Sequence, residues 1–433
     1  MLTAGRSGSG EGKPVLAVVG GGPVGLAIAW RCAQRGMRVT VYDPAPGSGA
    51  SAVAAGMLSP VAEATFGERD LTALMVNAAA RWPAFAAEVE VAGGRDVGYR
   101  TDGTLIVALT ADDVAEARRL WTYQQSLDLP LTPLLPTELR VREPQLSTRV
   151  RGGAYAPADH QVDPRRLVPA LVAAARAAGV RVERRQVDRL SDVDADVVVV
   201  AAGTGSATLA GLPVRPVKGQ VLRLRAPGGG PPVVRHVIRG YADGRSVYLV
   251  PRVDGEVVVG ATVEERGDLT VTAGAVLDLL RAAAELVPEL AEYELAEARA
   301  ATRPGTPDNL PYLGPLPGRP GVLVATGHYR HGILLAPITA DLVADALTGG
   351  EPTGGALAGD DWPAELAPLR PDRAARQAPV RRTTGQAPAD LPTGQAPADL
   401  PTGQAPADLP TGQAPADRLS GPGDPVEEGN RWN

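Results

Sequence analysis

Val15 to Val19 is an unbroken apolar run that stops at Gly20-Gly21-Gly22, the pattern of a strand buried on both faces. Val24 to Arg35 follows with helical periodicity, and Arg38 to Tyr42 is a second β-branched run closing on Asp43. Together they predict a βαβ unit of about 30 residues. Further on, Ala111 to Ser126 and Arg165 to Ala178 have the spacing of amphipathic helices, the second entered through an Asp163-Pro164 cap and left at Gly179. Thr104 to Leu109, Val180 to Glu183 and Asp196 to Ala201 read as strands. From Pro216 to Val263 apolar and polar residues alternate in short runs (Gly219 to Leu224, Ser246 to Pro251, Glu256 to Gly260), which predicts an antiparallel sheet. Thr272 to Leu286 is a further helix, Val322 to Thr326 a strand, and Ile338 to Leu347 a closing helix before Gly349-Gly350.

The periodicity ends there. From residue 351 to 433 about 29% of the chain is Pro plus Gly, a disordered composition. Within it Thr-Gly-Gln-Ala-Pro-Ala-Asp begins at Thr384, Thr393, Thr402 and Thr411. A nine-residue period can build a β-solenoid, but one Leu and a few Ala per copy supply too little core, so the disordered reading is favoured. Residues 1–13 read as a flexible leader without an apolar signal segment, and no apolar run reaches about 18 residues, so neither secretion nor a membrane span is expected and the protein is placed in the cytoplasm.

Charge and rare residues narrow the chemistry. The net charge is −6 and there is no basic block, so no nucleic-acid footprint is present. Cys32 is the single cysteine, which excludes an intramolecular disulfide and a Cys-based zinc or iron–sulfur site and fits a reducing compartment. The four histidines form no HxxxH pair, and His328 and His331, three apart, have no nearby acid or Cys to complete a ligand set, so no metal is expected.

Gly20-x-Gly22-x-x-Gly25 sits between the first strand and its helix, and Asp43 ends the next strand. Glycines there allow a tight turn, close approach to a pyrophosphate and helix–strand packing, while the acid accepts ribose hydroxyls. The unit therefore binds a dinucleotide. The small-residue run Ala50 to Pro60, the strand entering Gly203-Thr204-Gly205, and Thr326 to Ile333 before a helix bring both ends of the chain to one ligand. That suits FAD better than NAD, and no second GxGxxG is present.

Three segments carry a resemblance: Ala54-Ala55-Gly56-Met57-Leu58-Ser59-Pro60, Arg303-Pro304-Gly305-Thr306-Pro307-Asp308, and Gly327-His328-Tyr329-Arg330-His331-Gly332-Ile333-Leu334-Leu335-Ala336-Pro337. Over about Val15 to Leu347 the chain resembles the glycine oxidases of thiamine biosynthesis, within the D-amino-acid oxidase-type FAD oxidoreductases. The resemblance implies an α/β (α+β) fold: a Rossmann-like FAD-binding domain (14–60, 150–213 and 302–350) interleaved with a substrate-binding domain on an antiparallel sheet (61–149 and 214–301). It also implies a homotetramer.

Carried over by resemblance, FAD contacts fall on Pro23, Val24, Asp43, Pro44, Ala50, Ser51, Ala55, Gly56, Met57 and Val187. The segment His328, Tyr329, Arg330, His331, Gly332, Ile333 and Leu334 would wrap the flavin, a helix N-terminus stabilising its reduced anion. Arg303 matches the arginine that pairs with the substrate carboxylate, and Tyr248 the tyrosine that joins it. A guanidinium fork on a desolvated carboxylate is worth about 2–5 kcal/mol. Tyr248 shares a strand face with Val250 and reads equally as a core tyrosine, and Arg330 as a second active-site cation or a loop residue. Ser246 and Val263 depart from a histidine and a methionine found in the family, which bears on substrate preference. With Cys32 in the first helix, attachment of the flavin through a C-terminal cysteine is excluded, so the FAD is noncovalent. The implied reaction takes a small amino acid, glycine first, to its imine, with O2 as acceptor. A D-amino-acid or sarcosine oxidase, a dehydrogenase with another acceptor, and a non-catalytic flavin-binding scaffold are the alternatives.

Overall fold

Val15–Val19 lies inside a six-stranded sheet, with Arg38–Tyr42 on one side and Val197–Val200 on the other, both parallel to it. Arg181–Glu183 and Val322–Thr326 extend the parallel set, and Tyr312–Pro315 closes one edge antiparallel. A computed structural model describes residues 14–349 and 362–373 of the chain. Parallel strands need crossover connections, and these place helices over the sheet. Pro23–Gln34 packs against Ala336–Thr348 and Pro164–Ala177, burying Leu26, Ile28 and Trp30 with Leu16, Val18 and Val41. Asp163 caps the last of these as its sequence predicts, accepting from the Arg165 N–H at 2.9 Å.

The alternating region builds an eight-stranded sheet in the order Glu294–Gly305, Arg215–Arg225, Glu256–Gly260, Arg245–Pro251, Val237–Ala242, Thr104–Ala108, Gly152–Ala156, Thr132–Leu134. Its pairs are antiparallel except Val237–Ala242 with Thr104–Ala108. One face, with Leu222, Val247, Leu249 and Val259, is covered by the helix Ala273–Leu286 through Leu279, Ala283 and Leu286. On the other, Tyr248 and Val250 face Val53, Ala55 and Met57, so the alternation read in this strand is present in the fold.

Four features differ from the sequence pattern. The longest helix among the described residues, Arg69–Gly93, is absent from the elements read above, although Leu71, Met75, Ala78, Trp82, Phe85 and Val89 form its buried stripe. Pro83 interrupts the propensity there, but it lies on the exposed side of the helix. Glu294–Gly305 is rich in Ala, Glu and Arg, good helix formers, yet pairs along its length with Arg215–Arg225; tertiary pairing overrides local preference. Gly152–Ala156, assigned above to the FAD-binding part (150–213), instead pairs with Thr104–Ala108 in the eight-stranded sheet. Finally, the stretch read as a disordered tail contains a packed segment. Trp362 lies against Gly314, and Arg373 is paired with Asp308 at 2.6 Å and stacks on Tyr312. The average Pro/Gly content over 351–433 conceals these two anchors. The leader and the nonapeptide repeats lie outside the described residues.

Candidate active site

A cavity of about 820 Å³ runs along the carboxyl ends of the parallel strands and out over the Tyr248 face of the eight-stranded sheet. Ligands bind at this place in open parallel sheets because the strand ends and helix N-termini meet there. Gly20, Gly22, Pro23, Val24, Asp43 and Pro44 line its first part. The three glycines have distinct reasons. Gly20 has φ +117°, and a Cβ on it would stand 2.3 Å from the Ala201 carbonyl. A Cβ on Gly25 would stand 2.0 Å from the Gly20 carbonyl, so Gly25 is a packing position and does not line the cavity. At Gly22 a Cβ would meet nothing, and this residue begins the Pro23–Gln34 helix without a side-chain cap. An uncapped helix N-terminus bordering open space is the cradle a pyrophosphate requires. Asp43 accepts from the N–H of Gly21 at 2.7 Å and of Ala45 at 2.8 Å, which fixes the carboxylate beside that turn.

Ala50, Ser51, Ala55, Gly56, Met57 and Val187 continue the wall. Gly56 has φ +76°, and a Cβ on it would stand 2.0 Å from the Val162 carbonyl, so only glycine fits there. The buried guanidinium of Arg252 donates to the carbonyls of Ala55 and Val162 and braces this stretch from behind. At the other end His328, Tyr329, Arg330, Gly332 and Ile333 line the cavity, while His331 and Leu334 do not. Leu334 sits in the core, its carbonyl accepting from the Trp82 indole at 2.9 Å. Burial pushes the His328 imidazole down to about 4, with His331 adding to the effect; its Nε2 is 3.1 Å from the Thr339 hydroxyl.

The fold brings Arg303 and Tyr248 together on one wall. Arg303, opposite Val217 in the sheet, extends its guanidinium over Gly219, where a Cβ would stand 2.4 Å from Nη1. Gly260, directly opposite Tyr248, leaves room in turn for the phenol ring, since a Cβ there would stand 2.3 Å from the Tyr248 hydroxyl oxygen. Nη1 of Arg303 donates to the carbonyls of Thr262 at 3.2 Å and Lys218 at 3.4 Å. Among the described residues no carboxylate pairs with it. Burial raises the Tyr248 hydroxyl above the ordinary phenol range, with Arg303 opposing, so it remains a donor at neutral pH.

Sequence reading missed two residues of this wall, Glu63 and Arg239, which pair with each other inside the protein. Burial would raise the Glu63 carboxyl, but Arg239, His331 and Arg330 outweigh it and hold it below the carboxylate range. His331, 3.3 Å from Glu63, is lowered chiefly by burial, with Glu63 opposing and Arg330 and Arg239 adding to the effect. A lone Arg in the otherwise uncharged run from Val237 to Ala242 is the signal that could have marked Arg239. Glu63, among small residues, offers none.

The model for the family described as FAD dependent oxidoreductase matches residues 16–346. A glycine oxidase of Geobacillus kaustophilus (strain HTA426) is 36% identical over 352 residues, 76% of this chain and 92% of the relative. The crystal structure of glycine oxidase from Geobacillus kaustophilus superposes with a TM-score of 0.73 at 34% identity, covering 83% of this chain and 98% of the other. A bifunctional protein ThiO/ThiG of Trichormus variabilis is 34% identical over 346 residues, 76% of this chain but 52% of that protein. The cradle at Gly22, the glycine turn and the wall reaching to Arg303 fit the group these relatives share, and the chain belongs to the FAD-dependent oxidoreductases of the D-amino-acid oxidase type.

Proposed function

We propose that the chain oxidises a small amino acid, glycine first, with sarcosine and small D-amino acids as further substrates. The observation that carries this reading is the Arg303 guanidinium, held on the cavity wall by two carbonyls and free of any carboxylate among the described residues. A planar cation with no counter-ion, beside a protonated tyrosine, is a receptor for a carboxylate. FAD, held noncovalently along Gly20 to Asp43, Ala50 to Met57 and His328 to Ile333, supplies a two-electron acceptor. Arg303 and Tyr248 hold the carboxylate and so set the position of Cα, while the apolar wall around Val53 and Ala55 excludes water. The α-amine reacts in its neutral form. The product imine hydrolyses to glyoxylate and ammonia, O2 takes up the electrons as hydrogen peroxide, and the glycine imine serves thiazole synthesis for thiamine. Arg330 is assigned as a second cation of the site.

We further read the six-stranded sheet as the FAD-binding part and the eight-stranded sheet as the substrate part of a cytoplasmic homotetramer. Likeness to glycine oxidases and to ThiO/ThiG supports the substrate and pathway. The test is a peroxide-coupled assay of the FAD-loaded chain on glycine, sarcosine and D-alanine, with anaerobic bleaching as a second readout. Turnover of glycine at least equal to the others supports the reading; a yellow protein bleached by none of them overturns it in favour of a non-catalytic flavin protein.

A further inference from the structure

The strand Arg245–Pro251 turns alternate residues toward the cavity, and the alternation runs one residue beyond its end. Tyr248 lines the cavity, Val250 clusters with Val53 and Ala55, and Arg252 reaches the same stretch from behind. Its Nη2 donates to the Ala55 carbonyl, and its Nη1 donates to Gln161 Oε1 at 3.2 Å and to the Val162 carbonyl at 3.3 Å. Ala55, Gly56 and Met57 line the cavity and Arg252 does not, so backbone separates the guanidinium from a ligand there.

All three acceptors are neutral. Arg252 is 4% exposed, and among the described residues no carboxylate forms an ion pair with it. Asp163, the acid that acts on it most, caps the Pro164–Ala177 helix through the Arg165 N–H, and Glu256 pairs with Arg223. Burial pushes the guanidinium down to about 10, with Asp163 opposing, so it stays charged at neutral pH. The charge is felt within the cavity, where Arg252 joins Arg303 and Arg239 in opposing the rise of the Tyr248 hydroxyl. A neutral donor would brace the same carbonyls without the desolvation that a buried cation requires.

A hydride brings two electrons and one proton, so the flavin that receives it gains one negative charge. A fixed cation behind the wall favours that form over the oxidised one. We infer that Arg252 stabilises the reduced, anionic flavin across the Ala55–Met57 wall and so raises the reduction potential of the bound FAD. This role depends on bound FAD and on no particular amino acid, so it is tested apart from the oxidase reading.

The experiment uses the FAD-loaded full chain with Arg252→Lys, which keeps the charge, and Arg252→Gln, which keeps a donor without it. The readouts are the flavin potential, by equilibration with a reference dye, and the Kd for sulfite, which bonds to the flavin ring, leaves it anionic and bleaches it. Arg252→Gln is expected to make reduction about tenfold less favourable, about 30 mV for a two-electron couple, and to weaken sulfite binding by a similar factor. Arg252→Lys should stay close to the parent. A brace alone would raise the Kd for FAD in both variants without moving the potential of the flavin that remains bound. Equal shifts in both variants, or none in either, overturn the role of the charge. Asp163→Asn keeps a helix cap and removes the carboxylate that most offsets Arg252, so both readouts should move the opposite way. It decides the matter where Arg252→Gln does not retain FAD, an unmoved potential then overturning the role.

Discussion

Arg303 and Glu63 stand on the same wall, but their partners give them opposite consequences. Among the described residues Arg303 has only carbonyl partners, so its charge is available to a ligand. Arg303→Leu is expected to raise the KM for glycine about 10²-fold while FAD stays bound, read by steady-state assay and flavin absorbance; an unchanged KM removes Arg303 from the site. Glu63 is already satisfied by Arg239. Glu63→Gln removes the paired counter-charge of that buried guanidinium and should destabilise the protein by about 3–5 kcal/mol in denaturant titration. The same residue sets a pH dependence. Its carboxyl is held below the ordinary value in the folded state, so its contribution is complete above the unfolded carboxylate range and is lost as pH falls through the depressed folded value. Melting curves of the parent should steepen their decline in acid relative to Glu63→Gln; parallel curves would show that Glu63 is not the group. Before a Pro-Gly turn Arg303 alone reads as a surface arginine, and only the resemblance carried by Arg-Pro-Gly-Thr-Pro-Asp pointed to its place on the cavity wall. Glu63 was not legible, because its partner lies 176 residues away.

Two glycine positions separate cofactor binding from substrate binding at the scale of elements. A Cβ at Gly25 would strike the Gly20 carbonyl, which belongs to the turn itself. Gly25→Ala should therefore yield protein that loses FAD on gel filtration. The nearest atoms to a Cβ at Gly219 would be the far end of the flexible Arg303 side chain, which moves aside without unfolding anything. Gly219→Ala should stay yellow with a nearly unchanged melting temperature but show a KM raised about 10–100-fold, since an ångström of misplacement is enough. A loss of flavin in Gly219→Ala would contradict this division. The βαβ unit was readable because its signals are local: an apolar run, a glycine turn and a helix in about 30 residues. Glu294–Gly305 was not, because Ala, Glu and Arg favour a helix and only the neighbouring Arg215–Arg225 makes them a strand.

At the scale of the whole molecule, the Pro/Gly-rich C-terminal region divides at the packed segment. Arg373 donates to the carbonyls of Leu310 and Pro311 as well as to Asp308, and Trp362 and Leu369 are buried. A chain ended after residue 350 should keep its oxidase activity but melt about 2–4 °C lower, whereas one ended after residue 379 should melt with the full chain. Equal melting of all three would remove the segment from the fold's stability. Period and composition alone determined the dinucleotide unit, the antiparallel sheet and the absence of a cysteine that could bind metal or flavin, because each depends on residues close together or on simple counts. The tertiary structure decided which glycine borders the cavity and which packs, the burial of Glu63 with Arg239, and the placing of Arg303 and Tyr248 on one cavity wall. All of these arise where strands distant in sequence become neighbours, and a local pattern carries no record of that distance.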